Sequence, residues 1–523
     1  MNIDLRGEIG NILTSRIPLG GSLAIYLLLE QFRGKYKSIT VCLDQSEASF
    51  GGVLVDQDKL IHISYSKREL SFSESLLKAL EELSLAETDS VDVVFGDTLN
   101  LSLDCDDSII VSATSNRSRW MSVQRRDNKL EFELGGLNSE GLVVAGAFSF
   151  SRAALFTEIL MNNSSDRSQE FFFSTLREYD LEISNGMKLV VSTTWQDIGH
   201  LDTYFQTKRS LLSDSSRVFN SIKMDSTGSR IIKSSENIDK IQSEIKWFQA
   251  LPEDLKTYTP SFSPINELNG YSLQFLPGPT VAENWISGND DDVYWGLVFE
   301  ACTSLLSSFN SYVDSSKSNL MKELFIDKFD NRLEELSEIY EIRQILEGNT
   351  KVNGIKTPNL NRVRDQLHTT LSSLLDRTPS TVMHGDLFFG NLILDRRMRD
   401  IYCFDPRGFH IKNGIYGNQI YDLAKMSHSI DGSFDLIAAN LFSLNSSVGS
   451  IDFTLADSTG ERAQDMAREW LRDYTAESTE LDQDTINFLG STLLLSATPL
   501  HYDSRKRQMG LVSQSLLNLS KIL

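Results

Sequence analysis

The chain has 523 residues, 40% hydrophobic and 23% charged, with a formal net charge of −22. That length is too great for one core of ordinary size, so two or three domains are expected. The acidic balance argues against a broad nucleic-acid or anionic-membrane surface, since both need basic patches, but leaves room for a local phosphate pocket.

Cys42, Cys105, Cys302 and Cys403 are scattered without short spacing, so neither a disulfide framework nor a zinc knuckle is suggested. The opening MNIDLRGEIG lacks a basic stretch followed by an apolar one and does not read as a signal peptide. No apolar run is long enough for a membrane span. A reduced, cytoplasmic protein is expected.

Along the first 210 residues, α and β patterns alternate. Ser22–Gln31 has helical apolar spacing, and Ser38–Leu43 is a β-like run before Asp44. Glu74–Leu85 reads as a helix and Val91–Phe95 as an apolar strand. Ile109–Ala113, Leu142–Phe150 and Val190–Thr194 are further strand candidates. The alternation predicts an α/β sheet, mostly parallel. The Ser-rich stretch from Tyr204 to Arg217 reads as a linker or short connecting helix.

A different texture follows. Val218–Met224 and Arg230–Lys233 predict a β-hairpin turning at Ser226-Thr227-Gly228. Ile238–Leu251 is an amphipathic helix stopped by Pro252, and Tyr271–Phe275 is a strand ended by Pro277-Gly278-Pro279. From Val293 the chain is mainly helical, interrupted by a β-rich stretch over 381–405. The pattern is a small β lobe with one helix, then a larger helical lobe.

The chemistry concentrates in Thr381–Arg407, TVMHGDLFFGNLILDRRMRDIYCFDPR. His384, Gly385 and Asp386 follow a short β-like run, Asn391 comes five residues after Asp386, and Asp405 ends the strand-like Ile401–Phe404. Phosphoryl transfer needs such a set: one carboxylate to orient a hydroxyl and take its proton, and an Asn and a second Asp to hold Mg²⁺ on nucleotide phosphates. The bland alternative is a β-turn with solvated polar residues.

HGDLFFGN (384–391), FDPR (404–407) and YDLAK (421–425) together resemble the aminoglycoside phosphotransferase and choline kinase superfamily, over about residues 216–523. The resemblance implies a bilobal protein-kinase-like fold, ATP and Mg²⁺ as cofactors, and a small-molecule hydroxyl as acceptor. It implies Asp386 as the base-like carboxylate, His384 as a brace of its loop, Asn391 and Asp405 as metal ligands, and the Asp of YDLAK as a second brace. Lys233, at the end of a strand, and Glu244, on the following helix, match the Lys–Glu pair that fixes nucleotide phosphates. Taken alone, Lys233 would read as a solvated strand end. Gln274 and Leu276 fall in the expected adenine-contacting hinge, Leu273–Leu276. Arg407 could touch phosphate or substrate, or form a structural salt bridge. His428 reads as a packed histidine and Asp290–Asp292 as a solvated loop. A Gly-rich G-x-G-x-x-G loop is absent, Asp-Pro-Arg replaces Asp-Phe-Gly, and no Ala-Pro-Glu follows, so a protein kinase is not expected. The DPRG and YDLAKMSHS wording looks most like the branch found in bacterial capsule and surface-polysaccharide loci.

VVFGDT (93–98) and WQDIGH (195–200) each follow an apolar strand. Asp97 and Asp197 could share a metal ion on a nucleotide phosphate. With VVAGAFSFSRAALF (143–156) and SRW (118–120), these motifs resemble the sugar-phosphate nucleotidyltransferases, which have a Rossmann-like, GT-A-like sheet. The resemblance implies Asp97 and Asp197 as the metal pair and a second nucleotide such as CTP. The opening departs from that family. Gly7, Gly10, Arg16 and Gly20-Gly21 are not at its spacing, and Ser22 stands where a Lys is expected. In the alternative reading Asp97 is a strand-end turn residue and Asp197 a helix N-cap.

The resulting expectation is an α/β chain with three parts: a nucleotidyltransferase-like domain over 1–212, a kinase-like small lobe over 213–285 and a large helical lobe over 286–523. Its partners would be nucleotides and a small-molecule substrate, such as a sugar or amino alcohol, without nucleic acid. Two alternatives stand beside a kinase coupled to nucleotidyl transfer. One is a kinase with a non-catalytic nucleotide- or glycan-binding N-terminal module; the other is a pseudokinase scaffold.

Overall fold

A computed structural model describes residues 5–6, 9–10, 12–67, 70–114, 119–135, 142–164, 171–214, 220–265, 269–315, 320–348, 350–374, 379–410, 414–456, 460–479 and 481–523. Ser118, Arg217, Val218 and Gly7 of the sequence motifs lie outside them. The chain forms two compact units. The first holds Leu13–Ile17 and Ala24–Thr207; the second holds Pro18–Leu23 and everything from Lys208 onward. The division falls at Thr207, inside the helix Leu201–Asp214, which occupies the stretch expected to be a linker or short connecting helix.

The first unit is built on a six-stranded sheet ordered Lys188–Val191, Ser108–Ser112, Leu142–Phe150, Met121–Arg126 and Lys129–Leu134, with Val91–Val94 also pairing with Leu142–Phe150. Leu142–Phe150 is antiparallel to all three of its neighbours. Within this sheet only Lys188–Val191 and Ser108–Ser112 run parallel, which corrects the expectation of a mostly parallel sheet. The run LVVAGAFSF is apolar throughout because nearly the whole strand is buried. Such a run reports burial on both faces and carries no information about direction. A separate parallel pair joins Ile39–Asp44 to Ile61–Ser66. The core is rich in aromatic rings: Phe150 stacks on Phe156 at 3.7 Å, and Tyr179 meets both edge-on.

The second unit is bilobal and protein-kinase-like. Its small lobe is an antiparallel sheet ordered Asn220–Met224, Arg230–Ser235, Gly270–Gln274, Phe262–Ile265, with the helix Ile238–Ala250 beside it. The first turn carries no glycine-rich loop. Instead the Asp225 carboxylate accepts from the backbone N–H groups of Ser229 and Arg230 at 2.9 and 3.0 Å. The large lobe is mainly helical, with long helices at Asp292–Asn310, Leu360–Leu374, Gln419–Ile430, Glu461–Thr479, Gln483–Ala497 and Arg505–Ile522. Asp291, in the acidic run expected to be solvated, caps the first of these at Val293 N–H and Tyr294 N–H. The short hairpin Pro18–Leu23 belongs to this unit, as does Glu283, to which Gly21 N–H donates.

All four cysteines are free, and Cys403 is buried in the core. No helix among the described residues is long and apolar enough to cross a membrane.

Candidate functional site

The small lobe presents Lys233 from the middle strand of its sheet, paired in register with Tyr271 on one side and Ile222 on the other. Its ammonium lies 2.7 Å from Glu244 Oε2 and also pairs with Asp405. Glu244 is fully buried and takes a second hydrogen bond from the Tyr271 hydroxyl, at 2.7 Å. Burial by itself would depress the Lys233 pKa, but Asp405 and Glu244 outweigh it and hold the pKa above the ordinary lysine value. Trp247 lies one turn after Glu244 on the same helix face, and its Nε1–H donates to the Met383 carbonyl at 2.9 Å. One helix thus positions the Lys233 partner and also fastens the residue before His384.

The loop 383–391 is held from beneath by the helix Gln419–Ile430. Asp422 accepts from the backbone N–H groups of His384 and Gly385, both at 2.8 Å. Burial pushes its pKa up to about 7, against the pull of those two N–H groups. His384 accepts at Nδ1 from Asp386 N–H and faces the Phe404 carbonyl with Nε2 at 3.1 Å. This network fixes a neutral Nε2–H tautomer. Burial pushes the His384 pKa down to about 4. Asp386 lies 2.9 Å from Lys425 Nζ. Burial would raise its pKa, yet the Lys425 ammonium overrides that and holds it below the usual carboxylate value.

Asn391 and Asp405 are brought to one end of a hairpin by the register Leu392↔Cys403, extended by Phe404 N–H donating to the Asn391 carbonyl at 3.2 Å. The Asn391 amide nitrogen donates to the Asp386 carbonyl at 2.9 Å, which leaves its Oδ1 as an available acceptor. Asp405 sits at φ +60°, in the left-handed region. Three residues on, Gly408 has φ +111°, and a Cβ there would meet Ser243 Cβ at 2.7 Å and Ser243 C at 2.9 Å. Phe409 N–H donates to the Ser243 carbonyl at 2.7 Å. The chain after Asp405 therefore docks on the backbone of the Glu244 helix.

The hinge residues divide. Gln274 is exposed and its N–H is taken by the Ser261 carbonyl, whereas Leu276 N–H has no hydrogen-bond partner among the described residues. Arg407 is half-buried, and among the described residues it makes no side-chain salt bridge. Its backbone N–H ties to the His384 carbonyl.

Two lysines next to Asp386 lay beyond the motif reading. Lys425 ends the YDLAK motif, but nothing in the sequence pairs it with Asp386. Lys328 begins a helix directly after a π-helical turn, Glu323–Asp327, and its Nζ lies 3.1 Å from the Tyr421 hydroxyl. No local pattern marks it. His428 is 1% exposed, and neither ring nitrogen has a hydrogen-bond partner among the described residues.

In the first unit, the strand Gln196–Asp197 pairs antiparallel with Thr98–Leu99, and Ile198 N–H donates to the Asp97 carbonyl. This sets Asp97 and Asp197 side by side. Gly199 closes the space: a Cβ there would meet Asp97 Oδ2 at 2.6 Å. Burial raises the Asp97 pKa, and the neighbouring Asp197 charge raises it further. Asp197 takes side-chain donors, His200 Nδ1 at 2.8 Å and the Thr203 hydroxyl, and does not cap the helix that begins at Leu201. Trp120 lies edge-on to Trp195 and His200, at 5.8 and 5.0 Å.

The opening segment is committed elsewhere. Arg16 is buried and paired with Glu47 at 2.9 Å, and its guanidinium lies 3.9 Å from the Phe50 ring centroid. Gly21 N–H faces the Glu283 carboxylate, which Lys208 also pairs with at 2.8 Å. Among the described residues, no group of three or more His, Cys, Asp or Glu side chains is arranged to hold a metal ion.

No protein-family model and no curated protein matches the chain. Solved structures do resemble it. An ethanolamine kinase from Plasmodium vivax matches at 12% identity over 68% of this chain and 96% of its own, with a TM-score of 0.34. A choline kinase from Cryptosporidium parvum matches at 11% identity over 62% and 96%, with a TM-score of 0.30. A CTP:phosphocholine cytidylyltransferase from Streptococcus pneumoniae matches at 11% identity over 40% and 94%, with a TM-score of 0.33. Identities and scores this low leave function to the geometry.

Proposed function

We propose that the second unit is a small-molecule kinase that transfers the γ-phosphoryl group of ATP to a hydroxyl. The observation that carries this reading is the convergence of four separate elements. The strand of Lys233, the helix of Glu244, the loop of Asp386 and the hairpin of Asn391 and Asp405 all meet in one hydrogen-bonded network. Lys233, fixed by Glu244, binds nucleotide phosphate oxygens, and the backbone of Leu276 meets the base. Asp386, kept ionised by Lys425, orients the acceptor hydroxyl and takes its proton. His384 holds the loop in shape as a neutral ring. Arg407 faces the transferred phosphate or the acceptor. Asn391 Oδ1 and the Asp405 carboxylate suit Mg²⁺, a hard ion that accepts one or two protein oxygens and completes its shell with phosphate oxygens and water. When bound, the ion neutralises charge on the phosphates. An intact Asp386, Asn391 and Asp405 disfavours a pseudokinase.

Mg²⁺-dependent ADP release, measured with a panel of hydroxylated acceptors, tests the reading. Asp386→Ala is expected to lower kcat by about 10²-fold or more. Unchanged turnover in that variant would remove Asp386 from the role.

For the first unit, we favour the non-catalytic reading: a module that binds a nucleotide-linked ligand without turning it over. Nucleotidyl transfer needs free backbone N–H groups and cations around a triphosphate. Here Arg16 is spent on Glu47, and the Gly20-Gly21 turn belongs to the second unit, where Gly21 N–H faces a carboxylate. Asp97 and Asp197 remain a pair able to share one metal ion with a ligand phosphate. A place in capsule or surface-glycan precursor synthesis, in the cytoplasm, is consistent with both units.

A further inference from the structure

Lys425 pairs with Asp386, the field of Lys328 reaches that carboxylate, and Arg407 packs against Gly385 with its field on both lysines, on a chain whose formal charge is −22. Tyr421, Lys425 and His428 are spaced i, i+4 and i+7 on the helix Gln419–Ile430 and therefore share one face. The Lys328 ammonium bonds to the Tyr421 hydroxyl and sits 5.9 Å from that ring's centroid. The fields of Arg407 and Lys425 both reach it. The Lys425 ammonium lies 5.7 Å from the Phe388 ring centroid, and Phe388 in turn contacts His428.

The carboxylates around these cations are few. Asp386 pairs with Lys425, and Asp422 spends both oxygens on backbone N–H groups. Asp435 is buried within the field of Lys425, with one oxygen bonded to Ser429 and Oδ2 without a partner among the described residues. Lys425 is thus balanced. Neither Lys328 nor Arg407 has a carboxylate within ion-pair distance among the described residues. The buried ring of His428, on the same helix face, adds two nitrogens with no partner among the described residues. An amino-alcohol acceptor would bring a third uncompensated cation to this place. Recognition of such a headgroup calls instead for carboxylates or an aromatic cage.

Resting on the kinase reading, we infer that the acceptor is a hydroxylated anion, bearing a carboxylate or phosphate held by Lys328 and Arg407 while its hydroxyl meets Asp386. The transfer balances simply. The acceptor oxygen bonds to the γ-phosphorus, the bond from that phosphorus to the β,γ-bridging oxygen breaks, ADP leaves, and the hydroxyl proton passes to Asp386.

Calorimetric titration of the full chain, in the presence of Mg²⁺ and ADP, tests the inference. Glycerate, glycerol phosphate, glucuronate and glucose 6-phosphate are compared with glycerol, glucose, choline and ethanolamine. At least one anion is expected to bind roughly tenfold or more tightly than its neutral counterpart, the factor one charge-assisted contact supplies. Lys328→Met should lose that margin and Lys328→Arg should restore it. Equal or tighter binding of the neutral or cationic compounds overturns the inference, as does failure of every anion to bind or an anion affinity indifferent to Lys328→Met. ATP turnover separates the two readings. Turnover that is fastest with choline or glucose keeps the kinase and removes the anion. Lys328-dependent anion binding without turnover of any acceptor does the reverse. Carboxylate and phosphate probes in separate arms distinguish the two anion chemistries.

Discussion

At the residue scale, the loop 383–391 depends on keeping one histidine neutral. His384 ionises near pH 4 in the folded chain and near 6.5 when unfolded. Below about pH 6.5 the unfolded chain takes up a proton that the folded chain refuses, so stability is lost as pH falls toward 4. The difference corresponds to roughly 3–4 kcal/mol at most. His384→Asn should flatten this part of the stability–pH curve, measured by denaturant unfolding between pH 4 and 7. An unchanged slope would place the proton uptake elsewhere. In the first unit, Asp97 and Asp197 make a parallel case: two adjacent carboxylates gain from a shared cation. Mg²⁺-dependent nucleotide binding that Asp97→Asn weakens, without release of pyrophosphate from CTP or other triphosphates, is expected. Pyrophosphate release abolished by Asp97→Asn would instead make the unit an active transferase.

At the scale of elements, the helix Ile238–Ala250 does more than supply Glu244. Its Trp247 fastens the Met383 carbonyl, and its Ser243 backbone receives Gly408 and Phe409. Position of the Lys233 partner, of the His384 loop and of the Asp405 turn are therefore linked through one rigid body. Gly408→Ala would strain a φ of +111° and push a Cβ into the helix backbone. It should cost about 1–3 kcal/mol in stability and raise the KM for ATP more than the KM for the acceptor. A wild-type KM for ATP in that variant would break the proposed linkage. The hairpin Leu392–Asp395/Asp400–Cys403 is a second such device, since its register alone sets Asn391 and Asp405 at one end.

For the whole molecule, two compact units predict separable unfolding. Calorimetry should show that Mg²⁺ with ATP raises one transition selectively, by about 2.7 kcal/mol at a ligand concentration of 100 times Kd. Equal stabilisation of a single cooperative transition would argue that the units unfold together. The net charge of −22 sets the background against which the Lys328, Arg407 and Lys425 cluster stands out.

The sequence by itself determined most of the element order and singled out the residues of the proposed kinase site. His384, Asp386, Asn391 and Asp405 fall within one short stretch whose spacing is a property of the loop. Lys233 and Glu244 are separated by one strand end and less than two helical turns. Such local arrangements survive in sequence because neighbouring residues have little freedom to be elsewhere. Only the tertiary structure decided the strand directions in the first unit, since a buried apolar run looks alike whichever way it pairs. Likewise, only it turned Gly21 toward Glu283 and Arg16 toward Glu47, removing both from a phosphate cradle. It also brought Lys328 to Tyr421 across 93 positions of chain. Long-range charge pairing leaves no periodicity to read, and that is why the contact between Lys328 and Tyr421 was silent in sequence and legible in space.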